Sequence, residues 1–150
     1  MKAKLLAALA AAVSYVRKLP VAQYLKPIWK GALKEIVIQE GGDKVQAECN
    51  ALLDKHAAEG IDAALAKIDA ALQGLRRRFA DLVRKVPCLP AAYEEKATEA
   101  VDRAVTGLLE RLAAAAEIGR ASGVGAARAA FNASFDSFQD ELKGRIDAIN

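Results

Sequence analysis

Few side chains in this sequence could act as catalysts, and histidine is the scarcest of them. His56 is the single histidine among 150 residues, whereas a nucleophilic triad needs a histidine or an equivalent base beside its nucleophile. The residue three positions earlier is Leu53, so the Glu-x-x-His motif of di-iron bundles is absent. We therefore interpret His56 as a core or boundary residue and predict that the protein is not an enzyme.

Residues that could ligate a metal are equally sparse. Cys49 and Cys88 are the two cysteines, and no Cys-x-x-Cys spacing occurs. They allow one disulfide or two free thiols, and the sequence leaves that choice open. With one histidine and two distant cysteines, we predict no metal site and no cofactor.

An acidic ridge remains as a further candidate for cation binding. Glu95, Glu99 and Asp102 recur at positions i, i+4 and i+7. Arg103 follows Glu99 by four residues and supplies an ordinary helix ion pair. We interpret the ridge as a solvated helix face. Because the chain lacks a catalytic constellation, we also expect no small-molecule substrate.

The strongest charge signal is a basic segment at the start of the chain. The first 34 residues hold seven Lys and Arg and no acid, whereas the remaining residues hold fifteen Lys and Arg against nineteen Asp and Glu. The net charge of +3 therefore hides a cationic arm joined to a mildly acidic body. Such an arm is typical of contact with an anionic surface.

Within the arm, a lysine ridge lies beside aromatic residues. Lys26, Lys30 and Lys34 recur at i, i+4 and i+8, with Tyr24 and Trp29 on the neighbouring apolar face. Lysines beside Trp and Tyr are typical of a helix that lies in a membrane interface. The alternative is that the arm packs on the rest of the protein with Trp29 in the core, and both hypotheses stay open.

A second basic cluster consists of three successive arginines at 76–78. One hypothesis is that they bind phosphate groups of a nucleic acid, since Arg neutralises phosphates without sequence-specific geometry. The other is a solvated helix face that pairs with acids of the later helices, because no aromatic residue is interleaved for base stacking. The candidate contact residues for an anionic surface or a partner are Lys18, Tyr24, Lys26, Trp29, Lys30, Lys34, Arg76, Arg77 and Arg78.

The elements that would position these residues are helices. Ala supplies 34 residues, and β-branched and aromatic residues are sparse, which favours helix throughout. Prolines and glycines divide the chain into about six helices: 2–18, 20–40, one from an N-cap at Asp43 to Gly60, 61–86, one beginning near Pro90, and one after the turn at 122–125. Gly41-Gly42 is expected to end the second helix, and Pro27 to kink or restart it. A single bent helix through Gly60 stays open.

The helix predicted for residues 61–86 carries the most regular apolar pattern. Its apolar positions are spaced alternately by four and three residues, which is a heptad seam. The seam consists of Ile61, Leu65, Ile68, Leu72, Leu75, Phe79, Leu82 and Val86. We expect it to be buried along its whole length.

These patterns predict an all-α fold in one domain. We expect an elongated bundle of about six helices, with coiled-coil-like packing of the last three long helices, a basic amphipathic arm at 1–40 and a body at 43–150. The longest uncharged stretch at the N-terminus is the twelve residues of 5–16, whereas a spanning helix needs roughly 20. No transmembrane helix is therefore expected.

The leading functional hypothesis is a non-catalytic structural or assembly protein whose helices bind copies of itself or a helical partner. Its basis is an Ala-rich chain with a thin core, the heptad seam and the lack of a catalytic constellation. The alternatives are a peripheral membrane or lipid-binding protein that uses the basic arm, and a nucleic-acid-packaging or scaffolding component. The Ala and Arg usage is typical of a GC-rich bacterium or its phage. The sequence leaves the location open, with a cytoplasmic or virion-associated one slightly favoured over a peripheral membrane one.

Overall fold

The computed structural model describes residues 26–87 and 89–150, with the side chain of Lys26 excepted. The predicted helix 2–18 lies outside these residues, as do Lys18, Tyr24 and Cys88. The described residues form helices α1 (Lys26–Ile36), α2 (Lys44–His56), α3 (Ile61–Leu72), α4 (Leu75–Arg84), α5 (Ala91–Ser122) and α6 (Val124–Asp147). No strand occurs in this part of the chain, so the all-α prediction is confirmed.

The helices stack into four antiparallel columns. The first column is residues 26–56, the second is 61–84, and α5 and α6 are the third and fourth. Contacts between columns fix their directions. Lys30 reaches the last turn of α6 and Asp54 pairs with Arg128 near its start, so the first and fourth columns run oppositely. We call the end that holds Gly60 and Gly123 the upper end of the bundle.

Two of the predicted helix boundaries were wrong. The helix expected to stop at Gly41-Gly42 continues as a π-helix, Val37–Asp43, straight into α2. The lack of a Cβ at these two glycines instead allows phenylalanine side chains from other columns to lie against the helix backbone. A Cβ on Gly41 would lie 2.5 Å from Cε1 of Phe79, and one on Gly42 would lie 3.2 Å from Cε2 of Phe138.

Asp43 does not act as the predicted N-cap. Its backbone is helical, with φ −64° and ψ −40°, and its side chain caps no backbone N–H. Its Oδ1 atom instead accepts a hydrogen bond from Gln139 of α6 at 3.1 Å. Gln46, the expected partner in the capping box, donates to Asn132 at 3.0 Å. Contacts with the fourth column therefore replaced the local capping pattern.

The second boundary error divides the heptad helix. Gly74, with φ +79° and ψ 3°, takes the left-handed conformation that favours glycine and separates α3 from α4. Six seam residues are nevertheless buried, while Ile61 and Leu72 are half-buried. The expectation of burial along the whole seam is thus met except at these two positions. The break predicted at Gly60 is confirmed, since its φ of +102° ends the first column.

Among the described residues, the third and fourth columns form the most extensive helix–helix contact. The turn between them is the single residue Gly123, within the predicted turn. A Cβ on Gly119 would lie 2.7 Å from the Cβ of Ala127, so small residues bring these two helices together. Large side chains fill the centre of the bundle, and Phe79 meets Phe138 edge to face at 5.4 Å. None of the helices in the described ranges combines the length and apolarity needed to cross a membrane.

Candidate docking site

An open groove lies between α3 and α5, in the upper half of the bundle. Its volume is about 660 Å³. It is lined from α3 by Asp62, Leu65, Ala66, Ile68, Asp69 and Leu72. It is lined from α5 by Leu109, Leu112, Ala113, Ala116, Glu117 and Arg120. Phe131 of α6 lies at the base of the groove. Gln73, which follows α3, lies at its lower end.

The groove exists because α3 packs mainly against the first column rather than against α5. Its contacts with α2 are more extensive than those with α5. The facing positions on α5 are Ala113 and Ala116, whose side chains are too short to fill the space between the two helices. The Ala content therefore leaves an apolar gap instead of a closed interface.

Apolar and charged residues are separated within the groove. Leu65, Ile68, Leu112 and Phe131 are buried and form its base. Leu72 and Leu109 are half-buried along its sides. The charged residues lie at the exposed rim. This surface can take up an apolar face of another molecule, because burial of apolar area from both sides is favourable.

The rim is net acidic. Its charged residues are three acids, Asp62, Asp69 and Glu117, and one base, Arg120. The guanidinium of Arg120 pairs with Glu117 and lies 3.9 Å from the carboxylate of Asp62. Two acids therefore share one arginine at the upper end of the groove, while Asp69 lies on α3 towards the other end. The rim favours a cationic ligand.

The lysine ridge predicted in the arm lies at the opposite, lower end of the bundle. The Nζ atom of Lys30 donates to the backbone carbonyl of Asp147 at 3.2 Å and to that of Ile149. Lys34 pairs with the Asp147 carboxylate at 2.7 Å. That hydrogen bond, together with the positive charges of Lys34 and Lys30, lowers the pKa of Asp147. Both lysines therefore bind the end of α6, where cations are favoured by the helix dipole.

Trp29 is a core residue in this structure. Its side chain is fully buried, and its ring lies 5.5 Å from that of Tyr93, centroid to centroid. The ammonium of Lys96 lies 5.7 Å above the same tyrosine ring. This arrangement matches the packing alternative for the described part of the arm, from residue 26 onward.

The three arginines at 76–78 are divided between partners. Arg76 pairs with Asp102 of α5 at 3.0 Å, and Arg78 makes two hydrogen bonds of 3.1 Å with the Glu48 carboxylate of α2. Arg77 is exposed and makes no ion pair with a described residue. Two of the three guanidinium groups thus join the second column to its neighbours.

His56, Cys49 and Glu99, which the sequence offers as possible catalysts or metal ligands, are paired with other side chains or buried. The Nδ1 atom of His56 lies 2.6 Å from a Glu59 carboxylate oxygen. Cys49 is a buried free thiol, and burial together with the nearby Glu48 raises its pKa to about 12, which makes it unreactive. Glu99 pairs with Arg103 at 2.7 Å, as predicted. Within residues 26–87 and 89–150, no group of three or more His, Cys, Asp or Glu side chains could hold a metal ion.

Sequence reasoning missed the groove because it assigned every seam residue to a closed core. The sequence feature that could have indicated the groove is the pair of alanines at 113 and 116, which lie across from leucines of the seam. A sequence pattern does not show which residues of two separate helices face each other. No protein-family model, curated protein or solved structure matches this chain, so the role of the groove rests on its own residues.

Proposed function

We propose that the protein is a non-catalytic assembly protein whose α3–α5 groove binds an amphipathic helix of another chain, a further copy of itself or a helical partner. The observation that carries this proposal is the groove between α3 and α5, in which Leu72 and Leu109 are half-exposed at the sides of a buried apolar base. A helix placed there would complete an interface that the bundle itself leaves open along half of one side.

The shape of the groove favours a helix over a small molecule. It runs along α5 from Leu109 to Arg120, eleven residue steps or about 17 Å. Its base is apolar, and its charged residues lie at the exposed rim. Small-molecule sites enclose most of their ligand and place a few polar groups inside. The heptad spacing of the second column supports coiled-coil-like packing of the inserted helix and of the last three columns.

The alternative functions have weaker support. For a membrane-binding arm, the burial of Trp29 and the bonds from Lys30 and Lys34 to the end of α6 occupy the groups that would meet lipid. For nucleic-acid binding, Arg76 and Arg78 are held by acids of neighbouring columns. Both remain secondary proposals, which flotation with anionic vesicles and a salt-dependent nucleic-acid shift would test.

Self-association is tested by measuring mass in solution over a wide concentration range. The average mass measured for the wild-type protein is expected to rise with protein concentration. Ala113→Arg places a long cationic side chain in the groove and should weaken association at least about ten-fold, which is a loss of 1.4 kcal/mol. The matched control is Ala114→Arg, because Ala114 is an exposed neighbour on α5 that does not line the groove.

Two outcomes would contradict the proposal. One is a wild-type chain that stays monomeric at every concentration. The other is equal association of the Ala113→Arg and Ala114→Arg variants, which would show that copies associate through some other surface. Circular dichroism of each variant checks that helicity is retained, as expected from the similar helix propensities of Ala and Arg.

A further inference from the structure

We propose that the helix bound in the α3–α5 groove is the basic segment 2–18 of a second copy of this chain. The inference rests on the proposed function and names the occupant of the groove. Residues 2–18 lie outside the described part of the structure, so the argument uses their sequence and the geometry of the groove.

The length of the segment matches that of the groove. The uncharged run 5–16 has twelve residues, which span about 18 Å as a helix. The lined part of α5 spans about 17 Å by the same rise per residue. Leu5, Leu9, Val13 and Val16 recur at spacings of four, four and three, so a helix would present them as one apolar stripe. The remaining positions of the run are largely alanine, which permits close approach to α3 and α5.

The charges of the segment complement those of the rim. Lys2 and Lys4 precede the uncharged run, Arg17 and Lys18 follow it, and the segment has no acid. The groove carries Asp62 and Glu117 at one end and Asp69 towards the other, against a single arginine. Basic residues at both ends of the helix would therefore meet acids along the rim, while the uncharged run covers the apolar base.

The position of α1 favours a second copy over the same chain. α1 begins at Lys26, at the lower end of the bundle, where Trp29 contacts Tyr93. The lower end of the groove, at Leu109, lies sixteen residues further along α5, or about 24 Å. The sequence predicts that the second helix begins at residue 20, and such a helix, if continuous with α1, would lead away from the groove. The few residues left between 16 and 20 span at most about 14 Å.

This mode of binding joins unlike surfaces of two copies. Each copy donates its segment 2–18 and accepts another in its own groove, so the contact is head-to-tail. Such contacts produce closed rings or open filaments according to whether the rotation between copies closes. The same segment and groove are thereby used at every junction of the assembly.

Cross-linking between two differently labelled full-length chains tests the inference. Both carry Cys88→Ser, and the native Cys49 is buried and unreactive. One chain carries Ala12→Cys, a position between Leu9 and Val16 on the apolar stripe, and the other carries Ala113→Cys in the groove. Mixing them under mild oxidation should produce a disulfide-linked heterodimer. Ala11→Cys, on the opposite helix face, and Ala114→Cys, outside the groove, are matched controls that should cross-link at least ten-fold less.

A second variant separates this inference from the proposed function. Leu9→Glu removes a central apolar residue of the segment and should weaken self-association on the order of ten-fold or more. If association is lost in Ala113→Arg but unchanged in Leu9→Glu, and no heterodimer forms, the groove binds a different helix and the inference is wrong. A cross-link found only within one chain carrying both cysteines would also overturn it. A chain that never self-associates would contradict the proposed function itself.

Discussion

The two sides of α5 show that small residues can line either a closely packed helix interface or an open one. Towards α6, Gly119 meets Ala127 so closely that an added Cβ would lie 2.7 Å from the alanine Cβ. Towards α3, Ala113 and Ala116 face an apolar gap of about 660 Å³. Small residues are opposed by small residues on the first side and by leucines of a displaced helix on the second.

The difference between the sides depends on what else holds the neighbouring helix. The single-residue turn at Gly123 joins α5 to α6 and keeps them adjacent. α3 follows α2 through Gly60 and packs mainly on it. Alanine therefore permits close packing, but it cannot draw in a helix that is already fixed elsewhere, because it offers little area to bury.

The largest effect that separates the two sides is expected from leucine truncation. Leu108 is fully buried, so Leu108→Ala should lower the free energy of unfolding by about 2–5 kcal/mol. Leu72 lines the groove and is half-buried, so Leu72→Ala should cost about 1–2 kcal/mol, since less apolar area is lost. Urea denaturation at a concentration where the protein is monomeric measures both. Equal losses would mean that the groove is closed in solution.

An intermediate effect is expected from adding one methyl group between α5 and α6. Gly119→Ala should destabilise the protein by about 1–3 kcal/mol, because the new Cβ overpacks Ala127. The control is Gly144→Ala on α6, where nothing lies within 4 Å of the added Cβ. That change should stabilise by about 0.5–1 kcal/mol, as alanine does in a helix interior. The measurement is the midpoint temperature of thermal unfolding. A midpoint that shifts in the same direction for both variants would contradict the close approach of these helices.

The smallest effect is expected at the lower end, where an ion pair instead of apolar packing joins two columns. The pKa of Asp147 is lowered from its ordinary value of 3.8 by Lys34, so the pair stabilises the fold above that pH. The contribution is lost as the pH falls through the lowered pKa, because the carboxylate becomes protonated. The site is exposed and the effect is screened, so it should be small.

The measurement is the difference in unfolding free energy between wild type and Asp147→Asn as a function of pH. The difference should shrink below pH 3.8 and should also shrink with added salt. Asp136→Asn is the control, since Asp136 is exposed on α6 and makes no ion pair with a described residue. A difference that is constant from neutral to acid pH would exclude a role for the Lys34–Asp147 pair.

Glycines show where local sequence signals were reliable. Gly60, Gly74 and Gly123 have positive φ angles and stand at the ends of helices, and two of these breaks were predicted. Gly41 and Gly42 have no such angle and lie within a continuous helix, where Phe79 and Phe138 occupy the space that a Cβ would need. A sequence pattern cannot distinguish the two uses of glycine, since the second depends on residues from distant columns.

The sequence by itself determined the helical class, the apolar face of each helix and the charge asymmetry of the chain. Those properties follow from propensity, from periodicity and from composition, which act within a few residues. Tertiary structure alone decided that Trp29 is buried, that Arg76 and Arg78 are paired and that α3 stands apart from α5. Each of these depends on which helices become neighbours, and an apolar stripe specifies that a face is buried without specifying against which partner.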